Sequence, residues 1–163
     1  SKAMIMGVVL SSGKDSSILL WRSSSFVVCS GFFDSNGLYK KCSPEELSIA
    51  GEWAHFLGVD KLADQRFGRL SHGQRQLTLI ARAMVKSPKI LILDEPFQGL
   101  DIKNRTKIRN IFDYIGGQTS TNLIYVPNQD EETLNCITHV LEMDRGRATG
   151  TRALNDQKDK QNG

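Results

Sequence analysis

Two adjacent carboxylates, Asp94 and Glu95, are the residues of this sequence best placed to do chemistry. They follow an unbroken aliphatic run, Ile90-Leu91-Ile92-Leu93, which predicts a buried strand, and ligands collect at the carboxyl ends of strands in open α/β sheets. One carboxylate could hold Mg²⁺, directly or through water, while the other polarises an attacking water. Phosphoryl transfer needs both roles. For the dipeptide alone, a pair of helix-capping acids is the alternative.

Polar turns flank the predicted strand on both sides. The first, Leu70-Ser71-His72-Gly73-Gln74, opens a helical run, and Ser71 with the free N–H groups of a helix N-terminus makes an anion site. The second, Gln98-Gly99-Leu100-Asp101, follows the carboxylates. Residues 70–101 therefore combine a potential anion site with a carboxylate pair.

Helices before the strand are indicated by capping signals. Ser43 and Glu46 form a capping box, Pro44 suits the first helical position, and Gly58 ends the predicted helix. A second helix is predicted from the 70–74 turn to the residue before Pro88.

The predicted strands belong to a mostly parallel sheet. Four consecutive aliphatic residues at 90–93 indicate that both faces of that strand are covered, which is typical of a central parallel strand. Another strand is expected at residues 6–10. A polar helix at about residues 103–115, ending at Gly116-Gly117, leads to a strand at 122–126 and completes a right-handed βαβ unit.

The C-terminal part of the chain predicts smaller elements. Residues 131–136 are expected to form a short helix. Residues 139–143 and 147–149 flank Asp144-Arg145-Gly146, which predicts a β-hairpin. Residues 155–163 are polar and are expected to be a disordered tail, and residues 1–4 resemble a tag remnant.

Composition narrows the class of protein. The chain has 163 residues, of which 39% are hydrophobic and 24% charged, and its net charge of +3 gives no reason to expect nucleic acid as a partner. The three cysteines have no metal-ligand spacing, which favours a reducing, cytoplasmic setting. No apolar run reaches the ~18 residues of a membrane span.

The motifs together resemble the ABC-type ATPase family. Residues 90–95 are similar to the Walker B strand and the catalytic glutamate that follows it. Gly99-Leu100-Asp101 is similar to the D-loop, and Leu70-Ser71-His72-Gly73-Gln74 resembles the signature LSGGQ with His72 in place of the first glycine. The resemblance covers about residues 26–150. Within the family it is strongest to ATPase domains assigned to molybdate transport, some of whose relatives carry a photorepair label.

The resemblance implies a fold and a set of domain boundaries. The fold would be α/β, with a P-loop NTPase-like, mostly parallel sheet flanked by helices and an ABC-type helical subdomain. Residues 5–154 would be a partial ATPase domain. Within it, about residues 38–87 would be the helical subdomain and signature helix, and residues 88–154 the Walker B strand, D-loop and C-terminal strands.

The resemblance also implies ligands, partners and residue roles. ATP and Mg²⁺ would be the cofactors, with Asp94 holding Mg²⁺ through water and Glu95 acting as general base. A second ABC ATPase domain would complete a head-to-tail dimer, with a membrane permease subunit as a further partner at the inner membrane. Residues of the two turns would serve that dimer. Ser71 and Gly73 would contact the γ-phosphate bound to the opposite subunit, and His72 and Gln74 belong to the same motif. Asp101 would bridge the subunits.

Two departures from the family pattern bear on activity. The printed sequence contains no Walker A motif, GxxxxGK[ST], and without it the chain alone is expected to be inactive. The motif could lie upstream of this sequence, it could be missing from it, or the domain could be degenerate. The intact Asp94-Glu95 pair favours the first two explanations, because a site without nucleotide would not need it. The second departure is Asn128, with Gln129 beside it, where the family has a switch histidine. An amide can hydrogen-bond a γ-phosphate but cannot carry the same proton, so slow hydrolysis is expected.

Two other functions compete with the ATPase hypothesis. The chain could be a non-hydrolysing half-site that lends only its signature turn to another subunit. Alternatively, Ser11 to Ser16 (SSGKDS) resembles the SGGxDS loop of PP-loop ATP pyrophosphatases with one mismatch. That second alternative leaves the whole pattern of residues 70–101 unexplained.

Overall fold

The computed structural model describes residues 7–11, 20, 22–33, 41–128 and 133–154, with backbone alone for residues 7–11. Predictions for residues 1–4, 12–16, 129–132 and 155–163 lie outside these ranges. The helices are α1 (Ser24–Cys29), α2 (Pro44–Leu57), α3 (His72–Met84) and α4 (Ile102–Gln118). The strands are β1 (Gly7–Ser11), β2 (Ile90–Asp94), β3 (Asn122–Val126), β4 (His139–Asp144) and β5 (Arg147–Ala153). Short 3₁₀ turns cover Ser30–Phe32, Asp60–Leu62 and Phe67–Arg69.

The sheet that carries the carboxylates has three parallel strands in the order β1-β2-β3. Asp94 at the end of β2 is aligned with Ser11 of β1 on one side and with Val126 of β3 on the other. All three strands therefore end at one edge of the sheet, and the prediction of a central parallel strand at 90–93 is confirmed.

The two faces of β2 are covered unequally. Leu91 and Leu93 are 0% exposed and pack, with Phe112 of α4, into the main core. Ile90 and Ile92, on the opposite face, are only half-buried, and the neighbouring Ile124 of β3 is 49% exposed. Among the described residues, the face of Leu91 and Leu93 packs with α4 and is fully covered, whereas the face of Ile90 and Ile92 is covered only in part.

Helices α1, α2 and α3 pack together as a second layer. The predicted ends of α2 are confirmed: the Ser43 hydroxyl accepts from the Glu46 N–H at 3.2 Å, and the Glu46 carboxylate accepts from the Ser43 N–H at 2.8 Å. At its other end, Gly58 has φ 70°, a left-handed conformation that costs glycine little. These local signals fix where α2 begins and ends.

Helix α4 is longer than its glycines predict. It continues through Gly116 and Gly117 to Gln118 instead of ending at the glycine pair. A Cβ added to Gly116 would lie 2.7 Å from Sγ of Cys136 and 2.9 Å from Cδ1 of Leu123. Glycine is present there because neighbouring side chains occupy the space of a Cβ, so it does not mark the helix end.

The predicted helix at residues 131–136 is wrong where the structure describes it. Residues 133–136 form no helix and turn at Asn135 and Cys136. The Asp113 carboxylate of α4 fixes this turn, because it accepts from the Cys136 N–H at 3.0 Å and from the Asn135 side chain at 3.0 Å. The predicted hairpin is confirmed: β4 and β5 are antiparallel and are joined at Arg145 and Gly146, whose φ values are 47° and 76°.

Candidate functional site

The carboxylate pair lies at the strand-end edge of the parallel sheet. Asp94 is the last residue of β2 and its side chain is exposed. Glu95 turns the chain away with φ 46°, and its N–H donates to the carbonyl of Val126 at 3.0 Å. Asn128, also exposed, comes two residues after Val126 at the end of β3. The structure therefore brings Asp94, Glu95 and Asn128 to one edge, as two adjacent parallel strands require.

The 98–101 turn is held by a short series of backbone bonds. The N–H of Gln98 donates to the carbonyl of Glu95 at 3.2 Å, and that of Leu100 to the carbonyl of Phe97 at 3.2 Å. Phe97 is 0% exposed and anchors the turn in the core. Gly99 adopts φ 72°, which a side chain would oppose. The turn places Asp101 at the start of α4.

Asp101 is the N-cap of α4. Its carboxylate accepts from the backbone N–H of Asn104 at 2.8 Å and from the side-chain amide of Asn104 at 2.7 Å. Hydrogen bonding by the Asn104 backbone, followed by its side chain, holds the pKa of the Asp101 carboxyl below its usual value. Asp101 is therefore a satisfied cap as well as a candidate bridging residue.

The 70–74 turn is the N-terminus of α3. The Ser71 hydroxyl accepts from the Gln74 N–H at 3.2 Å, and the Gln74 side chain accepts from the Ser71 N–H at 2.9 Å, so the two residues form a capping box. Among the described residues, no hydrogen bond engages the N–H groups of His72 and Gly73. Those two groups remain available to an anion at a helix N-terminus.

The 70–74 and 98–101 turns lie against each other, a contact that the sequence did not predict. A Cβ added to Gly73 would lie 2.6 Å from Cγ of Asn104. A Cβ added to Gly99 would lie 3.7 Å from Nε2 of His72. The sequence signal that could have indicated this contact is the pair Gly73 and Gly99, about 26 residues apart along the chain. Glycine permits two backbones to approach closely.

A magnesium ion fits this edge of the sheet when water and substrate phosphates supply most of its ligands. Among the described residues, no cluster of three or more His, Cys, Asp and Glu side chains could enclose a metal. Mg²⁺ does not need such a cluster, since it keeps several waters and binds one or two carboxylates together with substrate phosphates. The exposed carboxylate of Asp94 meets that requirement, and Glu95 is adjacent.

Comparison with known proteins gives the family. Residues 14–98, more than half of the chain, match the family described as ABC transporter. The matched segment contains the 70–74 turn, β2 and the carboxylate pair. The chain belongs to the ABC transporter family. Within that family it is similar to part of the ATP-binding protein ModF.

Several curated relatives support this assignment. The ABC transporter ATP-binding protein ModF of Escherichia coli is 46% identical over 117 residues, which are 71% of this chain and 24% of ModF. The uncharacterized ABC transporter ATP-binding protein YlmA of Bacillus subtilis is 34% identical over 131 residues, 80% of this chain and 50% of YlmA. The molybdenum import ATP-binding protein ModC of Aromatoleum aromaticum is 37% identical over 92 residues, 56% of this chain and 24% of ModC. The chain thus spans half or less of each of these relatives.

Solved structures support the fold. A nucleotide-free ATP-binding cassette from an ABC transporter superposes with a TM-score of 0.76 at 24% identity, covering 93% of this chain and 63% of the cassette. A metal-chelate type ABC transporter in an inward-facing conformation matches with a TM-score of 0.60 at 28% identity, covering 74% of this chain and 47% of the other. The predicted P-loop NTPase-like α/β fold is confirmed. None of the helices in the described part of the chain is long and apolar enough to cross a membrane.

Proposed function

We propose that this chain is an ATP-binding and ATP-hydrolysing domain of the ModF type that works with Mg²⁺. The observation that carries the proposal is the shared edge of the sheet, where Asp94 and Glu95 end β2 and Asn128 follows β3. Phosphoryl transfer depends on positioning and charge neutralisation, and this edge offers acidic and amide side chains on fixed strand ends.

The roles within one subunit follow from chemistry and position. Mg²⁺, when bound, neutralises charge on the nucleotide phosphates. Asp94 holds the waters of that ion through its exposed carboxylate. Glu95, which follows β2 directly in a left-handed backbone conformation with φ 46°, accepts a proton from the attacking water. Asn128 donates its amide to the γ-phosphate, without the proton transfer that a histidine could make.

The other half of the site would serve a second domain. The N–H groups of His72 and Gly73, with Ser71, present the start of α3 to a γ-phosphate bound by the partner domain. Gln74 supports this turn by bonding the Ser71 N–H at 2.9 Å. Asp101, beside the same turn, contacts the partner. The arrangement supports a head-to-tail dimer in which each domain covers the nucleotide of the other.

Cellular role and domain limits are proposed on the same basis. The similarity to ModF and ModC favours a part in molybdate transport, with a membrane permease as the further partner and a cytoplasmic position at the membrane. A photorepair role, which the resemblance of the sequence also implies, is a second assignment for the same domain. Residues 41–87 would form the described part of the helical subdomain, and residues 88–154 the part with the carboxylate strand.

A glutamine substitution at Glu95 tests the catalytic proposal. Glu95→Gln removes the base while retaining size and polarity, so we expect ATP hydrolysis to fall by about a hundredfold or more while ATP binding is retained. An ATP-dependent dimer should then accumulate in size-exclusion chromatography. Because this chain alone is expected to be inactive without a Walker A segment, hydrolysis and dimer formation are measured on a longer product of the same gene that contains one.

A matched substitution separates chemistry from general damage. Glu52→Gln makes the same change on the exposed surface of α2 and should leave hydrolysis unchanged. Equal loss in both variants, or a Glu95→Gln form that hydrolyses ATP at the unsubstituted rate, would contradict the role of Glu95.

A non-hydrolysing half-site is the second candidate, and Asn128 is the observation that favours it. In this alternative the chain lends its 70–74 turn to another subunit and holds no nucleotide itself. Millimolar Mg-ATP would then leave its melting temperature unchanged, and calorimetry would detect no ATP binding. A substantial rise in melting temperature with Mg-ATP would exclude the alternative.

A further inference from the structure

Two of the three cysteines lie together in the helical layer, one at the end of α1 and one just before α2. Cys29 is the last residue of α1, and Cys42 comes two residues before α2. The Cys42 thiol donates to the carbonyl of Cys29 at 3.7 Å, so the two residues are in direct contact. Both are free thiols and both line a groove of about 430 Å³ with Phe26, Phe33 and Leu47.

The two sulfurs differ in access to solvent. Cys29 is 8% exposed, whereas Cys42 is half-buried. Burial, followed by the hydrogen bond with Cys42, raises the pKa of the Cys29 thiol to about 12. Cys29 is therefore protonated at neutral pH, and Cys42 is the sulfur that a dissolved oxidant meets first.

We propose that Cys29 and Cys42 form a dithiol modification site that hydrogen peroxide converts to an intramolecular disulfide. The Cys42 sulfur attacks one peroxide oxygen, the O–O bond breaks, and Cys42 becomes a sulfenic acid. The departing hydroxide takes the Cys42 thiol proton and leaves as water. The Cys29 sulfur then attacks the Cys42 sulfur, the S–O bond breaks, and the departing hydroxyl takes the Cys29 proton as a second water. The two thiols lose two electrons in total, and peroxide gains them.

The disulfide would join the end of α1 to the start of α2. It closes a loop from residue 29 to residue 42, which restricts the unfolded chain, and we expect the oxidised form to melt about 5 °C higher. Cys136 provides an internal reference. Its thiol donates to the Phe112 carbonyl at 3.7 Å next to α4, and burial raises its pKa to about 11.

Peptide mapping after peroxide treatment tests the proposal. The full chain is reduced, treated with hydrogen peroxide, alkylated and digested without further reduction. We expect one linked peptide containing Cys29 and Cys42, with the mass of two hydrogen atoms missing, and an alkylated Cys136. Dithiothreitol should separate the peptides and return the melting temperature to its reduced value. Sulfinic acid at Cys42 without a link, or a link from Cys42 to Cys136 or to a second chain, would overturn the proposal.

Serine variants provide the matched controls. Cys42→Ser, at a half-buried position, should prevent the link and the rise in melting temperature, and Cys29→Ser should do the same. Cys136→Ser should form the link at the unsubstituted rate. If Cys29→Ser fails to fold, the peptide map of the unsubstituted chain and the Cys42→Ser variant decide the result.

Discussion

At Gly73, the side chain of another helix occupies the space that a Cβ would need. Cγ of Asn104 lies 2.6 Å from that position, and the Asn104 amide is itself held by Asp101 at 2.7 Å. Asn104 therefore cannot move aside without losing a hydrogen bond to a charged group. This contact connects the start of α3 to the start of α4 at the level of single atoms.

Gly73→Ala measures this connection. The added methyl group must displace Asn104, so we expect the free energy of unfolding to fall by about 1–2 kcal/mol. In an Asn104→Ala background the obstruction is absent and alanine is the better helix former, so the same change should be neutral or slightly stabilising. Chemical denaturation of the four proteins gives the coupling energy. Equal effects of Gly73→Ala in both backgrounds would contradict the proposed contact.

At the scale of the element, α4 shows how packing decides the meaning of a glycine. Gly116 lies against Cys136 and Leu123, whereas a Cβ at Gly117 would meet nothing within 4 Å. Both are interior to the same helix. Their sequence neighbourhood is the same, and only the tertiary contacts distinguish them.

The glycine pair offers a comparison within one helix. Gly117→Ala should raise the free energy of unfolding by about 0.5–1 kcal/mol, because alanine loses less backbone entropy. Gly116→Ala should lower it by about 1–3 kcal/mol, because the methyl group overlaps the Cys136 thiol and Leu123. Urea denaturation of both variants checks the opposite signs. A stabilising Gly116→Ala would mean that the contact with residue 136 is loose.

The N-cap of α4 predicts a dependence on pH. Hydrogen bonds lower the pKa of Asp101 in the folded chain, while its unfolded value is about 3.9. The carboxylate therefore stabilises the fold above that unfolded value, and its contribution is lost as the pH falls through the folded pKa. Asp101→Asn keeps an acceptor for the Asn104 N–H but has no charge to lose. Its melting temperature should fall less than that of the unsubstituted chain between about pH 5 and pH 3. Parallel acid dependence in the two proteins would contradict this role for Asp101.

At the scale of the whole molecule, local sequence signals predicted the elements and long-range contacts decided the details. The capping box at Ser43, the left-handed Gly58 and the aliphatic run before Asp94 each act within a few residues, and the sequence predicted the corresponding elements correctly. The turn at residues 133–136 depends on Asp113, which is more than 20 residues away in the chain. The contacts of Gly73 and Gly99 join residues that are similarly far apart in the chain. The sequence therefore indicated which residues lie at the strand-end edge, but not how the two turns pack against each other.

The helical layer and the sheet layer are joined by a hydrogen bond that can be removed. Nζ of Lys107 on α4 donates to the carbonyl of Leu57 at the end of α2, at 2.9 Å. An ammonium group there donates to a carbonyl that has no partner within the helix, and its positive charge interacts favourably with the partial negative charge at the helix C-terminus. We expect Lys107→Met to lower the free energy of unfolding by about 1 kcal/mol and to speed hydrogen exchange in the last turn of α2.

Lys103→Met is the control for that experiment, since Lys103 is exposed in the first turn of the same helix. It should change stability by less than about 0.5 kcal/mol and leave exchange in α2 unaltered. If both variants accelerate exchange in α2 equally, the bond from Lys107 does not join the layers.

At Glu95, with its left-handed backbone, the substitution that would increase stability would also remove the proposed catalytic base. A non-glycine residue in this conformation costs about 1–2 kcal/mol, so glycine would relieve strain at this position. Glycine would also remove the carboxylate proposed as the base. Directed evolution for heat resistance alone would therefore favour the loss of Glu95, and a library screened for thermostability should be screened for ATP turnover at the same time.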